Sequence, residues 1–334
     1  AFIVAHNYLL PEFHETANLV GDSLELSLHV ARRRVQRVDF QSVFFMGATA
    51  KFIAPESRLY VPDSPQVLGC SLVFGTSHAW ICKWKLLNQG GIVVTYINSD
   101  VATKAMSEYI CTSRNTHKVI AEAAKQFPGR RILVCPDKFL GAVMRQKAAI
   151  EFDVDPSLVD IYTYEHEGWN ACCYVHEHIG EHVVEELMEE DPDAELIIHP
   201  ECGCSSTCLM KLESGVIPRE RAYFLSTSQM LERARVSPAK RFLIATELGM
   251  IYRLRKALPD KEFVPVSQEA RCRYMKACTL PKLLAELEND RLEVVICENC
   301  CDPEHSYQDE SVVHIPRSSA DAARIGIERM LAIQ

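Results

Sequence analysis

The feature that most constrains this chain is a succession of short β-branched runs, each ending in polar residues and followed by a helical pattern. They read AFIVAHNY, SVFFMGAT and RLYVPD, then GIVVTYINS, RILVCPDK and DIYTYEH, then ELIIHPEC, RAYFLSTS and RFLIATE. Strand alternating with helix is the pattern of parallel sheets covered by helices. First strands are expected near Phe2, Gly91 and Glu195, second strands near Ser42, Arg131 and Ala222, and third strands near Arg58, Asp160 and Arg241. The series therefore returns at intervals of roughly a hundred residues, as an internal repeat would.

These repeats predict an α/β protein of three similar Rossmann-like αβα domains with parallel sheets in a pseudo-threefold arrangement. The expected boundaries are 1–88, 89–180 and 181–334, the last unit carrying a C-terminal helix. In open α/β sheets ligands collect beyond the carboxyl ends of the strands. Here those ends carry His6-Asn7-Tyr8, Tyr96-Ile97-Asn98 and His199-Pro200-Glu201.

A cysteine also follows the expected third strand of each unit: Cys70 in VLGCSL, Cys173 in EGWNACCYVHEH and Cys272 in EARCRYMK. Equivalent positions of three related domains can converge on their common axis, where three thiolates would form a metal site. Three thiolates without a fourth suit a [4Fe-4S] cluster with one open iron, or a zinc ion with an open position. A free cysteine often serves as a small core hydrophobe, but matched placement in three repeats argues for ligands. Within EGWNACCYVHEH, Cys173 is expected to bind metal, Cys172 to pack and His178 to lie on the surface. His176 falls three residues past the ligand, within reach of a substrate.

Composition narrows the partners. A net charge of -9 with both signs interspersed leaves no electrostatic footprint for nucleic acid or an anionic membrane. No apolar run approaches the roughly 18–20 residues of a membrane span, and AFIVAHNY lacks a charged leader, so a cytoplasmic location is expected. Because Ala1 runs straight into a strand pattern, a preceding segment with a first helix is expected. Fourteen cysteines in a large, loop-poor chain point to metal, catalysis or core filling rather than a disulfide framework.

AHNY, GDSLELS, FMGATAKFIAPE, VTYINSDVATKA, CTSRN, PDKFLG, HPEC, STS, ATELGMIYRL and CRYMK, in this order along nearly the whole chain, resemble the quinolinate synthase family. The resemblance implies three α/β domains around a [4Fe-4S] cluster held by one cysteine from each, falling on Cys70, Cys173 and Cys272. It implies an enzyme that condenses iminoaspartate with dihydroxyacetone phosphate to quinolinate, releasing phosphate and water, on the route to NAD. An aspartate-oxidising enzyme is the expected supplier of iminoaspartate. An open iron would act as a Lewis acid.

By the same resemblance Glu201 is the expected general base, with Tyr8 and Tyr96 as proton donors or relays, His176 as a further catalytic group, and Asn98 as a contact to the phosphorylated substrate. His6 and His199 are expected at the substrate. Ser23, Ser113, Ser226 and Thr227 would bind carboxylate or phosphate through hydroxyls and helix N-terminal amides. Lys138 is a weaker candidate, since a lysine after a strand is usually solvated. Read without the family, Ser23 could serve only as a helix N-cap and the tyrosines as core aromatics. His14, His29, His78, His117, His305 and His314 are read as structural.

Two departures from the family pattern stand out: Ala171 where a glycine is common before the ligand, and Ser228-Gln229 where a glycine or acid is common. Cys202, Cys204 and Cys208 near Glu201, and Cys297, Cys300 and Cys301 near the C-terminus, are read as reduced loop thiols. A second metal site from Cys204 and Cys208 with Cys297 and Cys300 is the alternative. For the whole protein, the rival readings are a zinc-dependent hydrolase or lyase using the same three cysteines, and a non-enzymatic iron-sulfur sensor. The sensor would have no need of acid and base residues at several strand ends.

Overall fold

The structure, a computed structural model, describes residues 1–298 and 311–333, apart from the side chains of Glu181 and Val183. The first sheet contains β1 (Phe2–His6), β2 (Leu19–Gly21), β3 (Arg37–Gln41) and β4 (Arg58–Tyr60). The second contains β5 (Ile92–Tyr96), β6 (Tyr109–Cys111), β7 (Ile132–Cys135) and β8 (Val159–Ile161). The third contains β9 (Glu195–Ile198), β10 (Ala222–Phe224), β11 (Arg241–Ala245) and β12 (Glu262–Pro265).

Every unit has the same parallel order. The first strand sits between the second and the third, and the fourth lies outside the third. Such strands are covered by helices on both faces, so their residues are apolar almost without interruption. Ile92–Tyr96, Ile132–Cys135 and Glu195–Ile198 are buried throughout. In each sheet the topology reverses between the first and third strands, which places the ends of β1, β5 and β9 where a ligand belongs.

The repeat is real, but its register differs from the sequence reading. The run SVFFMGAT, expected as a strand beginning near Ser42, instead follows β3 and enters the helix Phe44–Ile53. That helix is buried on nearly all sides, from Phe45 to Phe52, so its apolar residues show no helical stripe and cannot be told from a strand by period. Strands β2, β3, β6 and β12 lie outside the runs read as strands, although β4, β8 and β10, as short as β2 and β6, were found. Each of the three cysteines therefore follows a fourth strand: Cys70 after β4, Cys173 after β8 and Cys272 after β12.

The expected third unit, 181–334, is wider than the third sheet. Strand β13 (Glu293–Cys297) pairs antiparallel with β4, and β14 (Val312–Pro316) pairs parallel with β13, so both extend the first sheet to six strands. The final helix, Arg317–Ala332, then crosses to the second unit. Its Gly326 packs so closely on Ile110 that a Cβ there would lie 3.0 Å from the Ile110 side chain. Asn115 Nδ2 donates to the Ile333 carbonyl at 3.1 Å, and Arg329 Nη1 to the Glu108 carbonyl at 2.8 Å. No helix among the described residues is long and apolar enough to cross a membrane.

Candidate active site

Strand ends from all three units open onto one cavity of about 330 Å³. Its wall includes Cys70, Cys173 and Cys272 together with His6, Tyr8, Ser23, Tyr96, Asn98, Ser113, His176, His199, Glu201, Ser226 and Thr227. Sequence reading named all of these as site residues, and the fold brings them together. Lys138 is not among the lining residues; its ammonium lies 3.5 Å from Glu177 on the protein's flank. Cys172 is buried outside the cavity and His178 is exposed.

His6-Asn7-Tyr8 and His199-Pro200-Glu201 adopt the same local turn. The Tyr8 N–H donates to His6 Nδ1 at 3.2 Å, and the Glu201 N–H to His199 Nδ1 at 3.4 Å. Burial lowers the His6 imidazole to about 3, helped by nearby His14 and Lys276. It is therefore neutral, with Nδ1 accepting and Nε2 carrying the proton.

A chain of polar contacts runs from the second unit through the third to the first. Asn98 Nδ2 donates to the Tyr96 hydroxyl at 3.0 Å and to Glu201 Oε1 at 3.4 Å. Glu201 Oε2 lies 3.1 Å from His199 Nδ1 and 3.3 Å from His176 Nδ1, and the two rings stack with centroids 5.0 Å apart. His176 Nε2 meets Thr246 Oγ1 at 3.2 Å, and Thr246 meets the Tyr8 hydroxyl at 2.7 Å. Burial alone would raise the Glu201 carboxyl, but His176 and His199 hold it well below the usual carboxylate range. Burial and then the Glu201 charge push both tyrosines well above their ordinary value, so they stay protonated phenols.

Hydroxyls also line the cavity. Ser226 N-caps the helix Thr227–Val236 with a full capping box, its partner being Gln229, the residue singled out as a departure. Ser23 is not a cap: Asp22 caps the helix Ser23–Arg33, leaving the buried Ser23 hydroxyl to the cavity. Ser113 is bonded to the Tyr96 side chain.

The three cysteine loops are tied to one another and to buried acids. Ser71 Oγ, next to Cys70, accepts the Tyr174 N–H at 3.3 Å and donates to the Cys172 carbonyl at 3.4 Å, so it grips both neighbours of Cys173. Burial lifts the Cys70 thiol to about 12 and the Cys272 thiol to about 11; burial, Glu201 and the other two cysteines raise Cys173 well above its ordinary value. Left to themselves these sulfurs stay protonated, because ionising one beside the others in a buried site is unfavourable.

Of the remaining cysteines, Cys202 and Cys204 lie in the turn after β9 and Cys208 in the helix Ser205–Glu213, all three as reduced thiols. Cys202, Cys204 and Cys208 are buried, with Cys202 Sγ donating to the Ala245 carbonyl at 3.1 Å. Cys297 ends the β13 strand, and Cys300, Cys301 and His305 lie outside the described residues. Among the described residues the cluster of His, Cys, Asp or Glu ligand atoms tight enough for one ion is His176, His199 and Glu201; Cys204, Cys208 and Cys297 form none.

The profile of the family described as quinolinate synthetase A protein matches residues 1–332. The chain belongs to the quinolinate synthetase A family. Among curated relatives, quinolinate synthase of Pyrobaculum aerophilum is 37% identical over 331 residues, covering 99% of this chain and 94% of that protein. Quinolinate synthase of Mycolicibacterium paratuberculosis is 37% identical over 333 residues, 100% of this chain and 85% of the other. That of Mycobacterium tuberculosis is 35% identical over the same length, with the same coverage. As a member of the quinolinate synthetase A family the chain is an enzyme.

Sequence reading missed Thr246, Asp137, Glu247 and Lys276, all of which touch the site's framework. Asp137 and Glu247 stood inside two of the quoted motifs, PDKFLG and ATELGMIYRL, each two residues beyond the last residue of a third strand. That shared offset was the available signal.

Proposed function

We propose that this chain is a quinolinate synthase that condenses iminoaspartate with dihydroxyacetone phosphate, releasing phosphate and water, and that Cys70, Cys173 and Cys272 hold a [4Fe-4S] cluster. The observation that carries the reading is the convergence of one cysteine from each of three units on a cavity that also gathers acids, bases and hydroxyls.

The donor set fits the cluster. Cys70, Cys173 and Cys272 supply three sulfurs to one cavity, and three thiolates without a fourth suit a cluster with one open iron. Thiols lifted to about 12 and 11 need a strongly cationic group to ionise them, which the cluster's irons provide. When bound, the cluster would supply a Lewis-acidic iron for a substrate hydroxyl or carboxylate.

The protein's own groups supply the rest. Phosphate and carboxylate groups would sit against the Ser23, Ser113, Ser226 and Thr227 hydroxyls, with the start of the helix Thr227–Val236 adding its positive end. Glu201, ionised at neutral pH, would take a proton from a carbon beside a carbonyl. Its onward path is His199 Nδ1 at 3.1 Å or His176 Nδ1 at 3.3 Å. Tyr8 and Tyr96, held as phenols on either side, would donate to leaving oxygen in the isomerisation and dehydration. Neutral His6 would orient substrate by donating from Nε2, and Asn98 would report the position of Glu201 to the phosphorylated substrate through their shared contact. Iminoaspartate would come from an aspartate-oxidising enzyme.

Anaerobic reconstitution followed by iron, sulfide and zinc analysis and a quinolinate assay tests this reading. About four irons and four sulfides per chain with quinolinate formed from the two substrates is expected for a [4Fe-4S] protein. A colourless, zinc-loaded protein that is fully active overturns it.

A further inference from the structure

Two buried carboxylates occupy matched places in the second and third units. Asp137 lies two residues past Cys135, the end of β7; Glu247 lies two residues past Ala245, the end of β11. Each begins a helix with one oxygen: Asp137 Oδ1 accepts the Leu140 N–H at 2.8 Å, and Glu247 Oε2 accepts the Gly249 N–H at 2.6 Å. An ordinary helix cap would end there. Here the second oxygen of each reaches a cavity cysteine. Asp137 Oδ2 accepts the Cys173 N–H at 3.1 Å, and Glu247 Oε1 accepts the Cys272 N–H at 3.0 Å.

The first unit breaks the pattern. Two residues past Gln41, the end of β3, stands Val43, whose side chain caps nothing. Only a carboxylate can accept two N–H groups through two oxygens while presenting no hydrogen of its own to either. Asparagine or glutamine would turn an NH₂ toward one of them. Lys276 Nζ lies 3.0 Å from Glu247 Oε1, whereas Asp137 has no lysine or arginine partner among the described ion pairs.

We propose that Asp137 and Glu247 are positioning residues that act through the ligand cysteines, each taking a ligand's backbone N–H away from sulfur and fixing its loop. Resting on the cluster reading above, the inference has an electronic consequence. A backbone N–H donated to sulfur makes an iron-sulfur cluster easier to reduce. The two acids therefore keep the cluster oxidised, the state in which it serves as a Lewis acid.

The experiment uses the full chain, reconstituted without oxygen, with the cluster's reduction potential measured by dye-mediated titration and its loss timed in an iron chelator. Asp137→Asn and Glu247→Gln are each expected to raise the potential by at least a tenfold change in the reduction equilibrium, about 59 mV for one electron. Lys276→Met, which strips Glu247 of its counter-charge, is expected to shift it the opposite way. Loosened ligands alone would speed loss of the cluster without this reversal of sign. Potentials unmoved in all three variants, with the cluster intact, overturn the inference and leave the proposed function standing. A wild-type chain that takes up no iron or sulfide sinks the proposed function itself. Should a variant hold no cluster, alkylation of the cluster-free protein by iodoacetamide decides. Cys173 in Asp137→Asn, or Cys272 in Glu247→Gln, must react at least tenfold faster than in the wild type relative to Cys70, and an unchanged ratio overturns the inference.

Discussion

The Tyr174 hydroxyl accepts the backbone N–H of Arg273 at 2.7 Å and donates to the carbonyl of Arg271 at 3.2 Å. The residue after Cys173 thereby grips both neighbours of Cys272, as Ser71 after Cys70 grips both neighbours of Cys173. Tyr274, after Arg273, continues toward the first loop: it stacks edge-on against Phe74, and a Cβ on Gly69 would lie 3.3 Å from its ring. The three cysteine loops are interlocked in one rotational sense around the cavity.

Removing one link should loosen the next loop along. Tyr174→Phe keeps the ring and deletes two hydrogen bonds, each worth about 1 kcal/mol. The expected result is a loss of about 1–2 kcal/mol in denaturant unfolding, with Cys272 in the cluster-free protein alkylated faster than Cys70. Unchanged stability and equal labelling would show the links to be incidental.

The adjacent cysteines give the sharpest contrast. Cys173 lines the cavity and Cys172 is buried away from it. Cys173→Ser is expected to lose bound iron, while Cys172→Ser keeps its iron and sulfide content and loses only some packing. Equal iron loss in both would reassign the ligand.

Glu201→Gln is expected to retain the cluster and to lower kcat by about a hundredfold or more, the usual scale of a lost general base. Quinolinate formation under single-turnover conditions checks it. Near-normal turnover removes Glu201 from the proton transfers.

Acid should destabilise the fold through His6. Its imidazole is lowered from an ordinary 6.5 to about 3, chiefly by burial. The unfolded chain binds a proton below about pH 6.5 that the folded chain refuses until about pH 3, so stability is full above that window and is lost as pH falls through it. From this residue alone the loss at pH 5 should be about 1–2 kcal/mol. His6→Asn should flatten the difference between unfolding midpoints at pH 7 and pH 5; an unaltered difference would assign the effect to other histidines.

Much of this was legible in the sequence because repetition reports on architecture independently of any one element. Phe2, Gly91 and Glu195 mark first strands in the structure, and the cysteines that follow the last strand of each unit line one cavity. The error at Ser42–Thr49 did not disturb that conclusion, since a buried helix and a buried strand both read as unbroken apolar runs. Asp137 and Glu247 stayed hidden for a different reason. An acid beside a helix start reads as a cap, and only the folded chain shows its second oxygen on a cysteine 25 or 36 residues away. Likewise the return of β13 and β14 to the first sheet has no local signal, because strand pairing across more than two hundred residues leaves no periodic mark.

That return sets the order of assembly. As the chain leaves the ribosome the first unit emerges first, yet β4 keeps an open edge until β13 arrives from the far end. Domains usually fold as they emerge, beginning with the N-terminal one. Here the earliest unit made is the last to be finished, and closing its sheet also brings the final helix onto the second unit. Closure of the first sheet and docking of the final helix on the second unit are thus one event, so a chain stalled before β13 would present the cysteines without the frame that encloses them.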